Sequence, residues 1–76
     1  MNYQKVKLNK KKTGKRIQTA ITSSMYSFTD VARALELTSE RTVYYWINGK
    51  KIPSLENIIN LSLMFNIKVE DLIAVD

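Results

Sequence analysis

The stretch from residue 27 to residue 65 constrains the fold most, because it divides into three short helical units separated by tight turns. In the first unit, apolar residues recur at i, i+3, i+4 and i+7, which is the spacing of a helix with one buried face. These residues are Phe28, Val31, Ala32 and Leu35. Ser27 and Asp30 resemble a capping box, with aspartate in place of the preferred glutamate. The pattern predicts a two-turn helix over about residues 28–35, with Leu37 directed inward from the following turn.

The middle unit, residues 39–50, combines an apolar face with an opposite face of arginine and tyrosine. Ser39 is a favourable N-terminal cap for a helix that runs to about Asn48. Gly49 supplies the left-handed residue that commonly ends a helix. Two basic residues follow this glycine directly, and they are Lys50 and Lys51.

Projection of this middle helix separates a buried face from an outer strip. With successive residues about 100° apart, the apolar face consists of Val43, Trp46 and Ile47. The outer strip consists of Arg41, Tyr44, Tyr45 and Asn48. Trp46 is therefore predicted to be a core residue and Tyr45 to be exposed, whereas Tyr44 is either exposed or partly packed on a neighbouring helix. Exposed tyrosines favour an interaction surface.

Further helices are predicted on both sides of this stretch. An amphipathic helix over about residues 14–24, capped by Thr13, follows from apolar spacings of three, four and four. The apolar residues are Ile17, Ala20, Ile21 and Met25. After Pro53, Ser54 caps a fourth helix that is apolar on most sides, which predicts that it is the central core helix.

The fourth helix is expected to end at Asn66, because asparagine tolerates the left-handed conformation. A last short helix is predicted from about Val69 to Ala74, with acids in its first turn. The sequence therefore predicts an all-α fold of five short helices.

The charge is distributed unevenly along the chain. Residues 1–16 carry seven basic side chains and no acid, whereas residues 17–76 carry five basic and seven acidic ones, a net charge of −2. We therefore predict a basic N-terminal arm over residues 1–12, where Val6 and Leu8 leave room for a short strand, and one domain over residues 13–76. The arm is expected either to meet a polyphosphate or to act as a lysine-rich solubility tail.

Composition excludes several classes of function. The chain has neither cysteine nor histidine, which removes disulfides, thiolate nucleophiles and the usual general base and metal ligand. No apolar run reaches the roughly 20 residues of a membrane span, and no signal peptide is recognisable. We expect a cytoplasmic protein that is not an enzyme and has no catalytic residue, cofactor, metal site, membrane partner or small-molecule substrate.

Three segments together resemble the lambda-repressor and Cro-like helix-turn-helix family over about residues 13–74. The first segment carries the pattern of Ser27, Val31, Ala32 and Leu35. The second carries Val43, Trp46, Asn48, Gly49, Lys50, Pro53, Ser54 and Leu55, and the third runs from Phe65 to Ile73. The turn at residues 36–39 is about one residue longer than the commonest form and has Glu36 where glycine is usual, which resembles a subgroup of small bacterial regulators. Phe28 replaces a glutamine that often bonds phosphate.

The resemblance implies that the third helix enters the major groove of double-stranded DNA. The residues that would contact bases are Arg41, Tyr45, Tyr44, Ser39 and Glu40. Glu40 has the alternative role of a helix cap. The residues that would contact phosphates are Lys50, Lys51, Asn48, Lys15 and Lys12.

Members of this family mostly act as dimers, so the resemblance also implies a homodimer. The predicted contact is the last helix, among Val69, Leu72, Ile73 and Val75, unless Leu72 and Ile73 close the core instead.

Two functions of different classes remain open at this point. The first is a prokaryotic, phage or mobile-element transcriptional regulator that binds a specific DNA sequence and represses by occluding a promoter. The alternative is a protein-interaction module, antitoxin-like or anti-regulator in role, that uses the same fold. Exposed tyrosine suits a protein interface as well as DNA.

Overall fold

Five helices surround one core in the computed structural model, which describes residues 2–76. They are α1 (Lys10–Thr22), α2 (Phe28–Ala34), α3 (Arg41–Ile47), α4 (Leu55–Phe65) and α5 (Val69–Leu72). Every helix contributes to the core, whose buried residues are Ile17, Ile21, Val31, Ala32, Val43, Trp46, Ile58, Leu61 and Leu72. The predicted all-α fold is confirmed.

The capping box predicted for α2 is present. The hydroxyl of Ser27 accepts the N–H of Asp30 at 3.0 Å, and the carboxylate of Asp30 accepts the N–H of Ser27 at 2.9 Å. The hydrogen bond from the Ser27 backbone N–H, and secondly that with the Ser27 hydroxyl, lowers the pKa of Asp30 below that of a free aspartate. The stability that Asp30 contributes to the fold is therefore present above the pKa that Asp30 has in the unfolded chain. It is lost as the pH falls through the lowered pKa.

Two predicted helix ends are also confirmed. Gly49 follows α3 with φ of 73°, and Asn66 ends α4 with φ of 54°, both in the left-handed region that suits these two residue types. Ser54 caps α4, because its hydroxyl accepts the N–H of Asn57 at 3.2 Å.

The predicted cap of α1 at Thr13 is wrong. Asn9 caps the helix, and its side-chain oxygen accepts the N–H of Lys12 at 2.9 Å, so residues 10–12 form the first turn of α1. Thr13 is instead buried, with only 1% of its surface exposed. Its hydroxyl accepts the N–H of Ala74 at 2.9 Å and so fixes the C-terminal segment to α1.

Residues 7–9 pair with residues 74–76 in a short antiparallel contact, which we call the terminal clasp. Leu8 and Val75 form its bridge. The N–H of Asn9 donates to the carbonyl of Ala74 at 2.8 Å, and the N–H of Asp76 donates to the carbonyl of Lys7 at 2.9 Å. The last part of the predicted arm is therefore attached to the domain, and the possible strand is reduced to one bridge.

The predicted burial of Met25 is wrong, because α1 ends before reaching it. The helix stops at Thr22, and the hydroxyl of Ser24 donates to the carbonyl of Ile21 at 2.6 Å in the turn that follows. Met25 thus leaves the helical face on which Ile21 lies and is fully exposed.

Helix α4 is not the central core helix that its composition predicts. Only two of its residues, Ile58 and Leu61, are buried, whereas Leu55, Ile59 and Leu63 are exposed. Over residues 2–76 the other helices cover α4 on one side only. Composition shows how apolar a helix is, but it does not show on how many sides the rest of the chain covers it.

The last helix mainly closes the core. Leu72 is 1% exposed, and Val69 and Ile73 pack against the core cluster. Val75 alone of the four predicted dimer residues is exposed. The alternative in which this helix completes the monomer is the one that the structure supports.

The turn after α2 contains a residue in an unfavourable conformation. Glu36 has φ of 55°, in the left-handed region where a side chain costs about 1–2 kcal/mol. The neighbouring Leu37 packs inward as predicted, and its N–H donates to the carbonyl of Ala32 at 2.9 Å. This pairing fixes the turn and holds Glu36 in place.

We expect Glu36→Gly to raise the free energy of unfolding by about 0.5–1 kcal/mol, because relief of the positive φ exceeds the entropy that glycine adds to the unfolded chain. Urea denaturation measures the change. Glu36→Ala removes the same carboxylate without relieving φ, and it should leave stability nearly unchanged. Equal stability of the two variants would show that the turn is not strained.

Candidate nucleic-acid interface

Helix α1 crosses the C-terminal end of α3 at Gly14 with backbone in contact. A Cβ at Gly14 would lie 2.2 Å from the carbonyl oxygen of Trp46 and 2.9 Å from that of Ile47. Only glycine permits so close an approach. On its inner face α3 is held by Val43 and Trp46, which are 0% and 3% exposed. The helix is therefore fixed on its inner face and at its C-terminal end, and its outer strip faces solvent.

Three residues of the predicted strip are exposed together, and they are Arg41, Tyr44 and Asn48. Their positions at i, i+3 and i+7 place them on one side of α3. Ser39, just before the helix, is exposed as well. These four residues form the outer surface that we call the α3 strip.

Tyr45 is only partly exposed, and the prediction of an exposed side chain is wrong. After Gly49 the chain turns back over α3, and the N–H of Lys50 donates to the carbonyl of Tyr45 at 2.9 Å. This return places the ammonium of Lys51 5.3 Å from the centre of the Tyr45 ring, a cation–π contact. Lys51 therefore covers part of the side chain that the helical projection placed in solvent.

Tyr44 is the more exposed of the two tyrosines, at 39%. Its ring packs edge-to-face with the ring of Phe28, with ring centres 5.1 Å apart and planes at 71°, an arrangement that aromatic pairs favour. Phe28 therefore supports a tyrosine of the α3 strip.

The start of α3 is linked to α2 by Glu40. Glu40 occupies the N-cap position, but its side chain makes no capping hydrogen bond, so the predicted capping role is wrong. Its carboxylate instead accepts a hydrogen bond from the Thr29 hydroxyl of α2. The N–H of Arg41 donates to the hydroxyl of Ser39 at 3.1 Å. Ser39, the residue before Glu40, therefore provides the predicted cap.

The predicted phosphate-contacting lysines are all exposed, and they are Lys12, Lys15, Lys50 and Lys51. They come from two distant parts of the chain, which meet where α1 reaches the end of α3. A Cβ on Gly49 would lie 2.8 Å from Cγ of Lys11, so the first turn of α1 lies against the residue that precedes Lys50. We call Lys12, Lys15, Lys50 and Lys51 together the basic region.

Sequence reasoning missed three residues that position this surface, and they are Lys11, Phe28 and Thr29. Each acts through a contact between helices: Lys11 with Gly49, Phe28 with Tyr44, and Thr29 with Glu40. Periodicity within one helix carries no signal for such pairs. Of the three, only Phe28 was marked as unusual by the sequence, and the sequence did not indicate that Tyr44 is its partner.

Over residues 2–76, no group of acidic side chains could hold a metal ion. None of the helices in that range is both long and apolar enough to cross a membrane.

A comparison with protein families matched residues 17–72 to the helix-turn-helix family model. The match covers most of the chain and includes α2, the turn and α3. Comparisons with curated proteins and with solved structures gave no match.

Proposed function

The chain belongs to the helix-turn-helix family of lambda-repressor-like DNA-binding regulators, and from that membership we propose that it binds a specific double-stranded DNA sequence with α3 in the major groove. The observation that carries the proposal is the pairing of the α3 strip with a basic region at its C-terminal end. A groove-reading helix needs polar groups that reach base edges and cations that hold the flanking phosphates.

Arg41 is the principal base reader in this proposal. Its guanidinium can donate two hydrogen bonds to O6 and N7 of one guanine, which discriminates against other bases by about 1–3 kcal/mol. Tyr44, supported by Phe28, lies on the same strip and can contact a thymine methyl group. Ser39 and Tyr45 are secondary readers, because Tyr45 is partly covered.

Glu40 is assigned chiefly a positioning role. Its carboxylate is engaged by Thr29, so a hydrogen bond to a cytosine amino group would have to compete with that contact. The contact fixes the start of α3 relative to α2, and this angle determines how deeply Arg41 reaches into the groove.

Lys50, Lys51 and Asn48 at the end of α3, together with Lys12 and Lys15 on α1, hold the phosphates. The first turn of α1 contains three lysines and no acid, an arrangement that the helix dipole disfavours. A phosphate beside this turn relieves the repulsion among these charges. Such contacts set affinity and register without reading sequence.

We further propose that the protein represses transcription by occupying a promoter. Binding to a site that overlaps a promoter excludes the polymerase and requires no chemistry. A homodimer on two half-sites about one helical turn apart would suit this role.

Selection from random double-stranded oligonucleotides tests the proposal. Enrichment of one short motif is the expected result, and a palindromic motif would indicate binding as a dimer. Recovery of unselected sequence from repeated rounds would contradict specific recognition and would favour a protein-interaction module.

We expect Arg41→Ala to leave the fold intact and to flatten base preference at one position of the selected motif. Loss of the two-pronged contact should weaken binding to the preferred sequence by about 1–3 kcal/mol and binding to other sequences much less. Competition binding against single-base variants of the motif measures both quantities. Arg33→Ala is the matched control, because it removes the same charge from an exposed position on α2. The same loss of binding to the preferred sequence in both variants would contradict the assignment of Arg41 as a base reader.

A further inference from the structure

Three apolar residues on α4 form an exposed stripe along one side of the helix. Leu55 is 72% exposed, Ile59 45% and Leu63 74%. Among residues 2–76 the core takes Ile58 and Leu61 from this helix and leaves these three outside it. Their spacing of four places them on successive turns of one face. We call this surface the α4 stripe.

The α4 stripe is symmetrical about Ile59, with a leucine one turn before it and another one turn after it. A second copy that approaches antiparallel, with a two-fold axis at Ile59, brings each Leu55 opposite Leu63 of the other copy. Such self-complementarity is what a two-fold interface requires. We propose that the α4 stripe is the contact between two copies of this chain, paired antiparallel.

The charge on α4 suits another copy better than a basic or an acidic partner. The helix carries one charged residue, Glu56, and its remaining polar residues are the neutral Asn57, Asn60 and Ser62. In an antiparallel pair the two Glu56 side chains fall on opposite sides of the axis, about 9 Å apart along the helices. The two helix dipoles also oppose each other. Pairing therefore buries apolar side chains without bringing the charged residues of the two α4 helices together.

The size of the α4 stripe indicates a weak pair. A stable interface buries about 800 Å² on each partner, which is more than three partly exposed side chains supply. We therefore expect association at high protein concentration, or where two copies are held side by side. Adjacent DNA half-sites would hold them so, a consequence that rests on the proposed function, whereas pairing in solution does not.

Single cysteines test the pairing directly, because the chain contains no cysteine of its own. In the full chain without DNA, we expect oxidised Ile59→Cys to form a covalent dimer, since the axis places the two thiols opposite each other. Leu55→Cys alone and Leu63→Cys alone should cross-link poorly, because each residue lies about 12 Å along the helices from its own counterpart, beyond the reach of a disulfide. A mixture of these two variants should form the mixed dimer.

Met25→Cys is the matched control, because Met25 is fully exposed and lies outside the α4 stripe. We expect Ile59→Cys, and the mixture of Leu55→Cys with Leu63→Cys, to cross-link at least tenfold faster than this control. Equal rates at all positions overturn the pairing and leave the stripe to a different protein. Self-linking of Leu55→Cys as fast as the mixture overturns the antiparallel arrangement. Because the reaction contains no DNA, its failure leaves DNA binding untouched, and a failure of DNA binding leaves this result untouched.

Discussion

Gly14→Ala is expected to lower the free energy of unfolding by about 2–3 kcal/mol, the cost of forcing an added methyl group into a filled contact. The new Cβ would lie 2.2 Å from the carbonyl oxygen of Trp46. That oxygen belongs to the backbone of α3 and cannot rotate away as a flexible side chain can. Helix propensity predicts the opposite sign, since alanine within a helix is favoured over glycine by about 1 kcal/mol. Urea denaturation at neutral pH measures the difference.

Gln18→Ala is the control for this prediction, because Gln18 is exposed on the same helix. It should leave stability within about 0.5 kcal/mol of the unmodified protein. Stabilisation by Gly14→Ala would show that α1 and α3 do not approach as closely as described. Loss of DNA binding should accompany the loss of stability, because α1 fixes the end of α3 beside the basic region.

Replacing Lys12, Lys15, Lys50 and Lys51 together with glutamine is expected to weaken binding to every DNA sequence. Each phosphate contact contributes about one unit to the slope of log K against log salt concentration, so the slope should become shallower by about four. At about 0.1 M salt this corresponds to a loss of roughly a thousandfold or more in affinity. The order of preference among sequences should persist, because Arg41 is retained.

Lys68→Gln provides the reference for this experiment, since Lys68 is exposed just before α5 and lies outside the basic region. It should change the slope little. Far-UV circular dichroism of the fourfold variant checks that the loss of the Lys51 contact with Tyr45 leaves the helices intact. A slope equal to that of the unmodified protein would show that these lysines are merely solvated.

The sequence predicted those features that depend on interactions between residues close together in the chain. The cap at Ser27, the left-handed Gly49 and Asn66, and the buried Val43 and Trp46 each depend on residues within one or two turns. Apolar spacing and cap chemistry act over that range, so one sequence suffices to identify them. The prediction of Thr13 as the first cap failed, because the Thr13 hydroxyl instead accepts the N–H of Ala74 at the far end of the chain.

The surface chemistry was harder to predict because it depends on how helices meet. A helical projection placed Tyr45 in solvent, but Lys51 returns over it after Gly49 turns the chain. Glu40 has an acidic side chain suited to a helix cap, but its carboxylate accepts a hydrogen bond from Thr29 of α2. The residues of the α3 strip were therefore identified from sequence, whereas their packing required the arrangement of α1, α2 and α3.

The same limit explains α4. Its apolar residues on most sides predicted the central core helix, but burial also requires enough neighbouring chain to cover the helix. The other helices cover one side, and Leu55, Ile59 and Leu63 remain on the other. We place the proposed dimer contact on α4 rather than on the last helix for the same reason, since Leu72 is used within the monomer.

A double-mutant cycle between Arg41 and the major-groove edge of one guanine most directly tests whether α3 reads DNA bases. The selected motif identifies the guanine whose preference Arg41→Ala removes, and 7-deazaguanine at that position deletes the N7 acceptor without altering base pairing. We predict that the unmodified protein loses about 1 kcal/mol or more on this replacement and that Arg41→Ala loses almost nothing, because the contact is already absent. An equal loss in both proteins would contradict a major-groove contact by Arg41.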